Sequence, residues 1–90
     1  NGAAMADKMI DGSVNDLDRV DYYQQHLNSV NHAIKQGVNV QGYFAWSLMD
    51  NFEWAEGYSK RFGLVYVDYK TQKRIIKTSG NAYKELICRR

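Results

Sequence analysis

Apolar side chains fall at Leu17, Val20, Tyr23, Leu27, Val30 and Ile34. Their steps of three and four draw one stripe along a helix. The spacing predicts a helix over 16–36. Asn15 or Asp16 can cap it, and Asp16, Asp18 and Asp21 place anions in the first turns, where the helix dipole favours them. Lys35 falls in the last turn, and Gly37 ends the helix. The pattern then changes. Val38–Leu48 is rich in β-branched and aromatic residues and bears no charge, which predicts a strand covered on both faces. Residues 50–62 read as a loop. Gly63–Tyr69 alternates, 70–73 is a polar turn, and 74–78 returns as a short partner strand. Ser79 then caps a last helix over 80–88, with Ala82, Tyr83, Leu86 and Ile87 facing inward. Residues 1–14 read as a surface loop in which Met5, Met9 and Ile10 tuck against the body. Asn1-Gly2 reads as the exit from a strand outside the chain.

A helix, a short turn and a doubly buried strand make half of an α/β repeat. Two helices and a hairpin cannot cover both faces of that strand without a sheet beside it. The expected fold class is therefore α/β, as part of a larger fold. The 90 residues alone are expected not to fold cooperatively.

Composition changes this picture little. Hydrophobic residues make up 44% and charged residues 24%, both ordinary for a globular chain. The net charge of +2 hides an asymmetry: residues 1–58 hold three basic and eight acidic side chains, and residues 59–90 hold nine and two. The basic residues are interleaved with turn and strand positions, which favours a solvated surface over a nucleic-acid partner. No apolar run reaches membrane-spanning length, no signal-peptide pattern opens the chain, and no membrane partner is expected. The one cysteine, Cys88, cannot form an internal disulfide and has no metal-ligand spacing to His26 or His32. Neither a metal nor a cofactor is expected.

The chemistry gathers in Gly42-Tyr-Phe-Ala-Trp-Ser-Leu-Met-Asp-Asn-Phe-Glu-Trp54. Trp46 and Trp54 offer flat apolar faces for the C–H side of a sugar ring, and their N–H groups can still donate. Glu53, between Phe52 and Trp54, can accept charge-assisted hydrogen bonds from two hydroxyls. An aromatic pocket with a few polar groups also describes other ligand sites, so a polyol and another small molecule both remain open. Tryptophans packed in a core with a surface carboxylate suit one Trp better than the whole cluster. Asp50, Glu53 and Glu56 are the carboxylates beside the tryptophans. Nothing in their spacing sets two of them across a substrate, as glycoside hydrolysis needs.

That stretch, with Gly57-Tyr58 and Arg61-Phe-Gly-Leu-Val-Tyr-Val-Asp68, closely resembles the C-terminal part of glycoside hydrolase family 1, with the plant β-glucosidases as the nearest match. The resemblance covers the whole chain and implies the C-terminal quarter of a (β/α)8 TIM barrel. Residues 1–90 would belong to one barrel domain: the end of strand 7, helix 7 at 16–36, strand 8 at Val38–Leu48, the hairpin, and helix 8 at 80–88. It implies part of a retaining β-glucosidase, with a β-glucoside and the rest of the barrel as partners. The family's nucleophile is the Glu of a Thr-Glu-Asn-Gly motif, which falls immediately before Asn1. The acid/base lies on the fourth strand. Neither is in this chain, whose 90 residues alone are expected to be inactive. Carried over by position, Glu53 would bind two glycone hydroxyls. Trp46 would be a platform or donor at the same subsite, Trp54 a further donor, and Phe62 part of the lining. Ala55 would sit toward the aglycone.

Family members acting on 6-phosphorylated sugars carry Ser at the position of Glu53 and Tyr at that of Phe62. Lys60 matches their phosphate-binding Lys, but a carboxylate at 53 would repel phosphate. Plant thioglucosidases tend to have Phe at the position of Trp54, which leans the reading toward O-glucosides. Tyr83 departs from the family's frequent Trp. The resemblance is compatible with the secretory pathway, vacuole or plastid. The alternatives are a non-catalytic sugar-binding or scaffold protein of the same fold and, more distantly, a small lectin.

Overall fold

The periodic stretch forms a helix. In the computed structural model, which describes residues 1–52 and 57–88, α1 spans Leu17–Lys35. Gly37 ends it with a left-handed φ of 96°, which a residue without Cβ adopts freely. Gly37 N–H donates to Ile34 O and Val38 N–H to Ala33 O, each at 3.0 Å, the paired bonds of a Schellman cap. A two-stranded antiparallel hairpin follows, β1 (Val65–Val67) with β2 (Arg74–Ile76), Tyr66 lying opposite Ile75. Asp68 organises its turn by accepting the N–H of Lys70 (3.0 Å) and Thr71 (3.3 Å). Those backbone donors favour the ionised carboxylate and hold its pKa below the usual value. Then α2 runs over Thr78–Cys88 and packs on α1, with the rings of Tyr23 and Tyr83 at 5.6 Å.

α1 turns inward the middle of the predicted stripe, at Val20, Tyr23, Leu27 and Val30, and beside it Arg19, while the two ends of the stripe stay outside. Arg19 and Tyr23 are fully buried, whereas Leu17 and Ile34 are largely exposed. Arg19 sits inside because acceptors surround it, and the flanks of the stripe have no cover among the described residues.

The larger correction concerns Val38–Leu48. No strand forms there. Val38, Phe44 and Leu48 are exposed, Phe44 at 84%. A strand exists through its ladder, and among the described residues 38–45 gain none. Only further on does Met49 bridge Val65 in parallel. One side of the run is partly covered, with the Tyr43 ring 6.4 Å from that of Tyr23, while Val38, Phe44 and Leu48 find no cover among the described residues.

The first fourteen residues are less superficial than predicted. Ala3 and Val14 are buried, and Met5 exchanges backbone hydrogen bonds with Arg61 at 3.0 and 2.9 Å. Ile10 is exposed rather than tucked in, on a tight turn closed onto Ser13 through the left-handed Asp11 and Gly12. Among the described residues no helix is long and apolar enough to cross a membrane.

Candidate functional site

Two short stretches, 46–50 and 62–65, are laced together by their backbones. Ser47 N–H donates to Phe62 O (3.3 Å), Leu64 N–H to Ser47 O (3.0 Å), Val65 N–H to Leu48 O (2.9 Å) and Asp50 N–H to Val65 O (3.0 Å). Trp46 stands at one end, half-exposed, and Phe62 at the facing end, half-buried. The Trp46–Ser47 peptide bond is cis. Trp46 N–H donates to Asn1 O at 2.8 Å. Gly2 presses so close that a Cβ there would lie 2.0 Å from Trp46 O. Asn1, Trp46 and Phe62 therefore share one edge of the molecule. Glu53 and Trp54, with Ala55 and Glu56, lie outside the described residues. On either side of them, Phe52 and Tyr58 make an edge-on ring contact at 5.2 Å, and Tyr58 meets Tyr69 at 4.8 Å.

Asp50 faces inward rather than toward a ligand. Its carboxylate is fully buried. Oδ1 accepts from Lys77 Nζ (2.8 Å) and Gly63 N–H (3.1 Å), and Oδ2 from Arg61 Nη1 (2.7 Å) and Val67 N–H (3.3 Å). From there a chain of alternating charge crosses the molecule. Lys77 Nζ also meets Asp7 Oδ2 (2.5 Å), Asp7 meets Arg19 Nη1 (2.7 Å), and Arg19 meets Asp16 Oδ2 (2.5 Å). Arg19 Nη2 further donates to Ala3 O (3.1 Å) and Arg61 O (2.7 Å). Three carboxylates thus balance three cations. Arg61 also lies 4.2 and 4.3 Å from the ring centres of Tyr66 and Tyr69, a cation–π arrangement. Burial pulls the Arg61 pKa down, but the hydrogen bond and charge of Asp50 outweigh it and hold it above the usual value.

Sequence reasoning missed this network. It took Asp16 as a cap for α1 and Asp50 as one of the carboxylates beside the tryptophans. Asp16 does occupy the N-cap position before α1, yet its side chain makes no capping bond there. It serves α2 instead, accepting Ser79 N–H (2.8 Å) and the Ser79 hydroxyl (2.6 Å). The one sequence-level signal was Arg19, a cation beside the apolar stripe.

Tyr23 ties α1 to the site edge. Its hydroxyl donates to Trp46 O at 3.2 Å, and burial, the leading cause, pushes its pKa up to about 12. The unfolded value is about 10. A pKa raised on folding adds stability that is complete below the unfolded value and lost as pH rises through the folded one. Denaturant titrations of the complete barrel carrying this segment should therefore show stability falling between about pH 10 and 12. Tyr23→Phe should make that fall shallower. An equal fall in both proteins would remove Tyr23 as its source.

The family model for glycosyl hydrolase family 1 matches residues 1–90. The chain belongs to that family. It is 60% identical over 88 residues to a 1,4-β-D-glucan glucohydrolase of Thermotoga neapolitana and 58% identical over 88 residues to β-glucosidase A of Thermotoga maritima. Each alignment takes in 97% of this chain and 20% of the relative. A solved family 1 β-glucosidase from Thermotoga maritima superposes with a TM-score of 0.93 at 57% identity, over 98% of this chain and 20% of that one. The chain thus spans about a fifth of the length of the relatives it matches. Its fold is the one read from the sequence, part of the family 1 (β/α)8 barrel. These relatives are bacterial, so the expected leaning toward plant enzymes finds no support.

Proposed function

We propose that this segment belongs to a retaining β-glucosidase and supplies the glycone-binding part of its active site. Residues 1–90 then form one continuous part of a single barrel domain. The observation that carries the reading is the 58–60% identity, across 97% of the chain, to family 1 proteins named as a β-glucosidase and a glucan glucohydrolase. The exposed face of Trp46 beside Phe62 supports it, since sugar C–H groups pack on aromatic rings. Glu53 takes two glycone hydroxyls, Trp54 donates a further hydrogen bond, and Phe62 lines the pocket. Both catalytic carboxylates come from other parts of the barrel, about 5–5.5 Å apart as double displacement requires. A β-glucoside is the substrate, and its glycone is unphosphorylated because Glu53 would repel a 6-phosphate.

The test is proton NMR of the complete barrel turning over an aryl β-glucoside. β-Glucose should appear first, with the 6-phosphoglucoside cleaved at least ~100-fold less efficiently. First release of the α-anomer, or preference for the phosphorylated sugar, would contradict the reading. No turnover, with the sugar still bound, would favour the non-catalytic alternative.

A further inference from the structure

The buried carboxylate of Asp50 is held by four donors, and what those donors are attached to suggests a role beyond stability. Gly63 N–H belongs to the residue after Phe62. Phe62 O in turn accepts the N–H of Ser47, the residue after Trp46. Asp50 lies three residues beyond Ser47 on the same stretch, so its side chain closes a ring that begins at Trp46 and returns through Phe62. Gly63 is pressed against it: a Cβ there would lie 2.3 Å from Asp50 N and 2.9 Å from Asp50 Oδ1. The ring has no slack.

We propose that Asp50 is a positioning residue for the sugar-binding aromatics, setting the spacing of Trp46 and Phe62 through the backbone it clamps, without touching substrate. The proposal rests on the glucosidase reading above. The carboxylate is the chemistry this site needs, because all four partners are donors and an ionised Asp offers only acceptors. An amide would turn an NH2 group toward a backbone N–H or an ammonium. The two cations have other anchors. Lys77 keeps Asp7, and Arg61 keeps Val67 O and the rings of Tyr66 and Tyr69. Loss of the Asp50 charge therefore acts chiefly on the Gly63 and Val67 backbone, next to the site.

Asp7 provides the matching control. It meets the same Lys77 within the same network, but it binds no backbone of 46–50 or 62–65. In the complete barrel, Asp50→Asn and Asp7→Asn should both lower the unfolding temperature. Well below both transitions, Asp50→Asn should raise KM for an aryl β-glucoside at least ~10-fold, and Asp7→Asn less than about twofold. If Asp50→Asn does not fold, Asp50→Glu replaces it. That change keeps the charge but moves the acceptors one methylene away from the Gly63 and Val67 N–H groups, and it should raise KM by at least about threefold. An unchanged KM in the folded site variant, or an equal rise in Asp7→Asn, overturns the positioning role. A wild-type barrel that turns over no β-glucoside sinks the glucosidase reading and this proposal with it. Wild-type turnover with unchanged variant kinetics sinks the positioning role alone.

Discussion

Replacing Arg19 by leucine should destabilise the complete barrel by about 3–5 kcal/mol, the usual cost of removing one partner from a buried ion pair. Arg19 is fully buried and reaches Asp7, Asp16, Ala3 O and Arg61 O. Leucine leaves Asp7 with Lys77 alone, and Asp16 with the neutral donors of Ser79. One net negative charge then stays inside. Ala3 O also loses its donor, whereas Arg61 O keeps the N–H of Met5, and an unsatisfied buried group costs about 1–3 kcal/mol. Lysine at 19 should recover only part of the loss, because one ammonium cannot reach acceptors arranged around a planar fork. Urea unfolding of the wild type and both variants checks this. A loss under about 1 kcal/mol in Arg19→Leu would mean that the network does not hold these elements together.

Gly63→Ala should cost at least ~3 kcal/mol, at the upper end for overpacking. The added Cβ would sit 2.3 Å from Asp50 N and 2.5 Å from Met49 C. Both are backbone atoms, and no rotamer change relieves the clash. The stretches carrying Trp46 and Phe62 would have to separate, so kcat/KM should fall together with stability. Gly12→Ala makes the comparison. Nothing lies within 4 Å of its Cβ, but φ there is +77°, so only the left-handed penalty of about 1–2 kcal/mol applies. Activity should survive that change. Equal stability losses, or an intact kcat/KM in Gly63→Ala, would contradict the clash.

Local signals explain what could be read in advance. The apolar spacing and Gly37 placed α1 to within a residue at each end, and the polar turn at 70–73 placed the hairpin. The candidate site was read from one run of aromatic and acidic residues and Phe62 from the family resemblance alone; that the backbones beside Trp46 and Phe62 meet is visible only in the structure. The ionic network was not legible. Lys77 and Asp7 lie 70 positions apart, and Ser79 and Asp16 lie 63. No local spacing carries such pairings. The partners of Asp50 were hidden for the same reason: in sequence it stands among aromatics, and Lys77 and Arg61 come beside it only in the folded chain. Val38–Leu48 failed differently. Its side chains have the composition of a buried strand, but pairing is a property of neighbours, and composition cannot supply them.

The central claim is that this segment grips the sugar while the catalytic carboxylates lie elsewhere in the barrel. Glu53→Gln in the complete barrel tests it most directly. Glutamine keeps the size of the side chain and loses the charge from the two proposed hydrogen bonds, each worth about 1.5–3 kcal/mol. The kcat/KM for an aryl β-glucoside should fall by at least ~100-fold with the unfolding temperature unchanged. A kcat/KM within about threefold of the wild type would contradict the account.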